Sequence, residues 1–168
     1  MARKDAQLAR NVVLSLIVLE PRHGWALQEE LAPSGDIGRA WSLSKQLVYR
    51  AIDTLESDGL VKRAAPKDGG GADRVVVTPT AKGKRVTGKW LNMPVEHLRD
   101  VRTELVLKVM MRNRYGLPQK PFLQAQREHF APLIKAIENS KDSSPVGLWR
   151  QESATAVMRY LSELDKKS

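Results

Sequence analysis

Two short runs of strand-forming residues, separated by a glycine-rich segment, restrict the fold of this chain more than any other feature. Residues 60–64 read Leu-Val-Lys-Arg-Ala, and residues 74–78 read Arg-Val-Val-Val-Thr. β-Branched residues favour strands, and three consecutive glycines at positions 69–71 lie between the two runs. The pattern predicts a β-hairpin whose tip can approach another surface closely.

Helical segments precede this hairpin. Apolar residues recur with the spacing of an amphipathic helix over residues 6–19 and, more briefly, over residues 24–31. Pro21 ends the first segment and Pro33 ends the second, because proline cannot continue a helix. We therefore predict two helices before the first long loop.

A third helix is expected after Ser44, a residue type that caps helix N-termini, and it should end at about residue 58 because Gly59 follows. Its apolar face is predicted to point into the core. That face consists of Leu47, Val48, Ala51, Ile52 and Leu55. A fourth helix follows the hairpin, with Thr80 as its cap and residue 91 near its end.

Three helices, a hairpin and a fourth helix form the element order of a winged helix-turn-helix. We therefore predict a mainly α (α+β) protein with two domains. Residues 1–91 form the winged helix-turn-helix domain, and residues 92–168 form an all-helical dimerisation domain. A length of 168 residues suits one small domain with a helical addition.

Positive charge is concentrated in one part of the chain. The formal net charge is +9 at pH 7, and residues 59–91 hold eight Lys or Arg against two Asp. This stretch covers the hairpin and the helix after it. Such an excess attracts polyanions, so double-stranded DNA is the expected partner.

The outer face of the third helix carries side chains suited to the major groove of DNA. Lysine and arginine hydrogen-bond guanine edges there, and glutamine pairs with adenine. We predict DNA contacts from Ser44, Lys45, Gln46, Tyr49 and Arg50. For Tyr49, packing inside the domain is the alternative.

The cations of the hairpin are expected to contact phosphates, because a wing flanks the sugar–phosphate backbone. These residues are Lys62, Arg63, Lys67 and Arg74. The helix after the hairpin adds further cations, which either contact flanking phosphates or form a solvated face. They are Lys82, Lys84, Arg85 and Lys89.

The rest of the chain is expected to be helical over residues 95–111, 122–138 and 148–164, with a kink or a break at Pro132. Three such helices alone would expose much apolar surface, so we expect them to form a homodimer. The predicted interface residues are Trp149, Ala154, Val157, Leu161 and Leu164. Alternatively, the helices pack on the winged domain, or Trp149 lines a pocket for a small aromatic effector.

Several protein classes are disfavoured. The chain has no cysteine, which excludes disulfides, thiolate metal sites and thiol nucleophiles. The apolar run at residues 12–19 is too short to span a bilayer, and no cleavage site follows it. The three histidines are scattered, and no phosphate-binding glycine motif precedes a helix. We expect a cytoplasmic, nucleoid-associated protein without enzymatic activity, cofactor, metal or membrane contact.

The N-terminal segments resemble the PadR family of transcriptional regulators. Residues 23–27, His-Gly-Trp-Ala-Leu, resemble the family's His-Gly-Tyr-x-Leu element. Residues 41–61 are similar to its recognition-helix signature, from Trp-Ser-x-Ser to the Leu-Glu that leads into Gly-Leu-Val. Residues 75–83 resemble the wing strand and the Thr-x-x-Gly after it. The later helices are similar to those of longer members related to virulence activators of the AphA type.

This resemblance implies a homodimer on a palindromic operator, commonly acting as a repressor. It also implies that Tyr49 contacts the DNA backbone and that His23 and Gly24 open a helix whose amides face phosphate. Arg50 stands where the family usually has proline, and Trp25 replaces tyrosine. These departures mean that an operator sequence cannot be transferred from relatives.

The expected function is therefore sequence-specific DNA binding by a transcriptional regulator, which could respond to an effector. The alternative is a nucleoid or replication-associated DNA binder with little sequence preference. A winged-helix adaptor for proteins fits less well, because its wing would be neutral or acidic and this wing is basic.

Overall fold

The computed structural model of the chain describes residues 2–64 and 75–167. Lys67, Arg74 and the glycines at 69–71 lie outside the described residues. The chain forms two compact units, Met1–Asn92 and Met93–Ser168.

The first unit combines helices with a small sheet. Its elements are α1 (Ala2–Leu19), β1 (Arg22–His23), α2 (Gly24–Leu31), α3 (Lys45–Ser57), β2 (Val61–Arg63), β3 (Val76–Pro79) and α4 (Ala81–Asn92). This order confirms the predicted mainly α class with a winged helix-turn-helix. It includes every element expected from the sequence and adds one strand, β1.

Local hydrogen bonds explain where α3 and α4 begin. The Ser44 hydroxyl accepts a hydrogen bond from the Leu47 amide at 3.4 Å, and the Thr80 hydroxyl accepts one from the Gly83 amide at 3.0 Å. At the other end of α3, Gly59 has a φ of 68°, which residues with a side chain rarely adopt. The caps and the stop predicted from the sequence are therefore confirmed.

The sheet has three antiparallel strands in the order β1-β3-β2. The hairpin pairs β2 with β3, with Lys62 opposite Thr78. On the other edge of β3, Arg22 lies opposite Val77 and His23 opposite Val76. A strand of two residues has no detectable alternation, so β1 could not be predicted from the pattern.

The core of the first unit lies among α1, α2, α3 and the sheet. Val48, Ala51, Ile52 and Leu55 of α3 are buried as expected. Leu47 is the exception, with 43% of its surface exposed, so its assignment to the inward face was wrong. It borders a shallow groove of about 320 Å³ between α1 and α3.

The second unit is entirely helical. It contains a 3₁₀ turn (Leu98–Asp100), a π-helical turn (Val101–Leu105), α5 (Val106–Arg114), α6 (Gln119–Glu138) and α7 (Pro145–Lys166). The single helix expected over residues 95–111 is wrong, because three different helical forms share that stretch. Of the two outcomes expected at Pro132, a kink or a break, the break does not occur, because α6 runs through Pro132 as one helix.

The core of the second unit explains a further difference. Ala154, Val157 and Leu161 of α7 are buried in a cluster with Phe130 and other apolar residues of the same unit, and Leu164 packs against this cluster. The apolar stripe of α7 is therefore satisfied largely by α6 of its own chain. The four residues that were predicted to lie at a dimer interface thus have packing partners within their own unit.

Candidate nucleic-acid interface

The N-terminal half of α3 presents polar and cationic side chains to solvent. Lys45, Gln46 and Arg50 are all exposed. Gln46 and Arg50 are four residues apart, so they lie next to each other on one ridge of the helix. The Ser44 hydroxyl is engaged in capping α3. The helix thus offers donors and acceptors of the kind that read base edges.

Tyr49 packs against the start of α2. A Cβ atom at Gly24 would lie 3.0 Å from Cε1 and 3.1 Å from Oη of the Tyr49 ring. The Lys45 ammonium lies 5.7 Å from the centre of the same ring. Glycine at position 24 therefore allows the ring to approach the backbone, which gives the half-buried Tyr49 a packing role.

His23 and Trp25 flank Gly24 at the beginning of α2. Their rings stack with centroids 6.2 Å apart and an angle of 15° between planes. Trp25 is 47% exposed, while Gly24 is buried. The backbone of His23 belongs to β1, so this aromatic pair lies at the edge of the sheet that also carries the hairpin.

The two cations of β2 have different surroundings. Lys62 is exposed, whereas the Arg63 guanidinium forms salt bridges with the carboxylates of Asp53 and Glu56 on α3. The Glu56 carboxylate also accepts a hydrogen bond from the Arg63 amide at 3.3 Å. The hydrogen bond to Asp53 raises the pKa of Arg63 above its ordinary value.

Arg63, which is expected to contact phosphate, is thus engaged by two carboxylates of α3. Sequence reasoning missed Asp53 and Glu56, although a signal was present. Side chains alternate between the faces of a strand, so Arg63 shares its face with the buried Val61 and Lys62 takes the opposite face. The alternation alone indicates that Arg63 points toward the domain.

The cations of α4 are mostly unpaired. The Lys82 ammonium donates a hydrogen bond to the Asp58 carbonyl at 2.9 Å. Lys84, Arg85 and Lys89 are exposed. Within residues 2–64 and 75–167, none of these three makes a salt bridge or side-chain hydrogen bond.

Comparison with known families agrees with this geometry. Residues 13–89 match the model of the transcriptional regulator PadR-like family, which spans α1 to α4. By this unit, the chain is similar to the PadR-like family. The resemblance noted in the sequence is confirmed for this part of the chain, and the matched residues include the whole surface described above.

Solved structures of PadR regulators show a distant likeness over most of the chain. The structure of Bacillus subtilis PadR in complex with operator DNA has 16% identity, covers 93% of this chain and 97% of its own, and gives a TM-score of 0.48. The complex of the same protein with p-coumaric acid has 16% identity, coverages of 95% and 94%, and a TM-score of 0.45. A PadR-like regulator from Bacillus cereus has 15% identity, coverages of 95% and 99%, and a TM-score of 0.43. None of the curated proteins matches the chain significantly.

Beyond the PadR-like unit, the second unit exposes apolar side chains at the start of α7. Trp149 is 73% exposed, and Val146 and Leu148 are also largely exposed. A recess of about 530 Å³ lies beside this helix start, with Leu98, Leu133 and Ile137 among its lining residues. Trp149 is thus the one predicted interface residue on α7 that remains on the surface. No helix in the described parts of the chain is both long and apolar enough to cross a membrane.

Proposed function

We propose that this PadR-like protein is a sequence-specific, DNA-binding transcriptional regulator. The observation that carries the proposal is the exposure of Lys45, Gln46 and Arg50 at the N-terminal half of α3, within a unit that resembles this family. In a winged helix-turn-helix, this helix enters the major groove. The three side chains then discriminate sequence by hydrogen bonds to base edges.

The wing supplies affinity in this mechanism. The exposed Lys62 lies on the hairpin and is suited to contact a phosphate. Lys67 and Arg74, outside the described residues, are proposed to do the same. Each neutralised phosphate releases counterions, so binding should weaken steeply as salt rises. We also propose that Tyr49, His23 and Gly24 contact the sugar–phosphate backbone of the DNA beside the major groove.

The second unit is proposed to form a homodimer, and the operator is then palindromic. Val146, Leu148 and Trp149 form an exposed apolar patch, which a second copy of the chain would cover. We propose repression as the mode of action, in the nucleoid of the cytoplasm. We also propose that the later helices are related to those of longer, AphA-type members. The family match ends at residue 89 and does not include these helices.

We also propose that the chain binds a small aromatic effector. The recess beside α7 has a volume in the range of small-molecule sites, and much of its lining is apolar. Bacillus subtilis PadR has been solved with p-coumaric acid. Binding of such an acid to the chain can be tested by calorimetry, with Leu133→Arg as the variant expected to lose it.

The decisive experiment is selection of duplexes from a random-sequence pool by the purified chain. Enriched and shuffled duplexes are then compared by fluorescence anisotropy across a salt series. We expect an enriched palindrome that binds at least 10³-fold more tightly than shuffled DNA, which is the lower range for specific regulators. No binding to any duplex in dilute buffer, beyond that of an inert control protein, would reject the proposal.

A second candidate function is DNA binding with little sequence preference. The unpaired cations Lys84, Arg85 and Lys89 favour it, because they add phosphate contacts that carry no sequence information. The same selection separates the candidates. A chain that binds every duplex equally and enriches no sequence is a nucleoid-type binder.

A further inference from the structure

The salt bridges of Arg63 connect the wing to the helix that is proposed to read DNA. Asp53 lies on the exposed face of α3, eight residues after Lys45 and four after Tyr49. Glu56 is the penultimate residue of the same helix. Together with Arg63 these residues form a cluster, here called the Arg63 bridge, which joins β2 to the C-terminal half of α3.

The Arg63 bridge carries more negative than positive charge. Two carboxylates face one guanidinium, and the exposed fractions of the side chains are 65% for Asp53, 37% for Glu56 and 32% for Arg63. The two terminal nitrogens of the guanidinium each form a salt bridge with a different carboxylate. The Glu56 carboxylate also accepts a hydrogen bond from the Arg63 amide. A phosphate that approaches Arg63 therefore competes with two carboxylates for the guanidinium and meets their repulsion.

From this geometry we infer that Asp53 and Glu56 withhold Arg63 from the phosphate backbone, which makes Arg63 a positioning residue of the wing and limits the affinity for non-operator DNA. The inference rests on the proposed function. A wing with every cation free would bind all duplexes more tightly and would discriminate less, because phosphate contacts do not depend on sequence. The neighbouring Lys62, on the opposite face of β2, keeps the phosphate-contacting role.

The test measures how the association constant for an unrelated duplex depends on salt. Each phosphate contact changes the slope of log K against log salt concentration by about 0.9. Arg63→Gln should leave this slope at the wild-type value. Lys62→Gln, the matched control one residue away, should flatten it by about 0.9 per bound protomer.

The reciprocal variant releases the arginine. Asp53→Asn combined with Glu56→Gln should steepen the slope by about 0.9 per protomer and raise the affinity for unrelated DNA about fivefold at 0.15 M salt. Adding Arg63→Gln to this pair should return the slope to the wild-type value. That triple variant still lacks both acids, so it separates release of Arg63 from a general loss of negative charge.

The outcomes are distinguishable from failure of the proposed function. A wild-type chain that binds no duplex overturns both. If the wild type binds but Arg63→Gln flattens the slope as Lys62→Gln does, only the bridge inference is overturned. An unchanged slope in the double variant, Asp53→Asn with Glu56→Gln, also overturns it. If circular dichroism shows that the double variant does not fold, the single variant Asp53→Asn takes its place, because Asp53 is the more exposed acid. This variant must then steepen the slope.

Discussion

At the scale of single residues, neighbours in the sequence have separate tasks in this unit. Lys62 faces solvent while Arg63 is held by two carboxylates of α3. Tyr49 packs on the backbone at Gly24, whereas Arg50 is exposed beside Gln46. The sequence analysis predicted DNA contacts for all of these residues, with packing as the alternative for Tyr49. Their orientation divides them into exposed side chains and side chains that are engaged within the unit.

Arg50 is expected to read bases, and this expectation gives a test at the residue scale. Arg50→Ala should lower the ratio of affinities for the selected and shuffled duplexes by about tenfold, because one side-chain contact to a base edge contributes about 1–3 kcal/mol of discrimination. Arg39→Ala is the control, since Arg39 is an exposed arginine paired with Asp36 by a 2.8 Å salt bridge. An unchanged ratio for Arg50→Ala would exclude base reading by this residue.

At the scale of elements, a few polar side chains fix the boundaries and packing of the helices. Ser44 starts α3, and Gly59 ends it. In the second unit, the buried Gln126 of α6 receives a hydrogen bond from the Val95 amide at 2.6 Å and donates one to the Val95 carbonyl at 3.0 Å. Gln126 thus secures the segment that opens the second unit. Its side chain satisfies two backbone groups that no helix or sheet pairs.

The cap of α3 should be measurable without DNA. Ser44→Ala removes the acceptor for the Leu47 amide and should lower the free energy of unfolding by about 1 kcal/mol. Urea denaturation measures this change. Ser42→Ala, an exposed serine in the preceding loop, is the control and should change stability by less than about 0.5 kcal/mol. Equal effects of the two variants would show that the cap contributes nothing.

Gln126 provides the second element-scale test. Gln126→Leu places an apolar side chain of similar size in the core but leaves the amide and carbonyl of Val95 without these partners. Each unsatisfied group costs about 1–3 kcal/mol, so unfolding of the second unit should shift to markedly lower urea concentration. Gln124→Leu, at an exposed position two residues earlier, should leave the midpoint nearly unchanged. A stability equal to that of the wild type would mean that Val95 finds other partners.

At the scale of the whole molecule, the start of α7 holds three of the large apolar side chains that the described chain leaves exposed. They are Val146, Leu148 and Trp149, and all three are more than half exposed. The more buried stripe of the same helix, with Ala154, Val157 and Leu161, belongs to the core of its own unit. The proposed dimer therefore depends on the first turns of α7 and not on the stripe that its periodicity suggested.

This distinction gives the test of the dimer. Leu148→Asp combined with Trp149→Asp should convert dimers to monomers in light scattering, because the charges oppose burial of the patch. The helical circular dichroism signal should persist, since both side chains are exposed in the single chain. Thr155→Asp, at an exposed position of the same helix, is the control. A double variant that remains dimeric would place the interface elsewhere.

The sequence by itself determined the order of the elements in the first unit and the residues that begin and end them. Ser44, Gly59 and Thr80 act on their immediate neighbours, and short-range hydrogen bonds and backbone sterics are written in local sequence. The family signature is local for the same reason. The two-residue strand β1 and the change of helical form across residues 98–114 carry no such local pattern.

Only the tertiary structure decided which cations are free and which apolar residues are already covered. The partners of Arg63 lie seven and ten residues away, on a different element. Leu47 is exposed although an inward position was predicted for it, and the apolar stripe of α7 is buried in its own unit although an interface was predicted there. Burial depends on which helix packs alongside. Charge pairing and burial are properties of surfaces brought together from distant parts of the chain. The alternation of β2 could indicate that Arg63 points toward the domain, but neither periodicity nor composition could assign its partners.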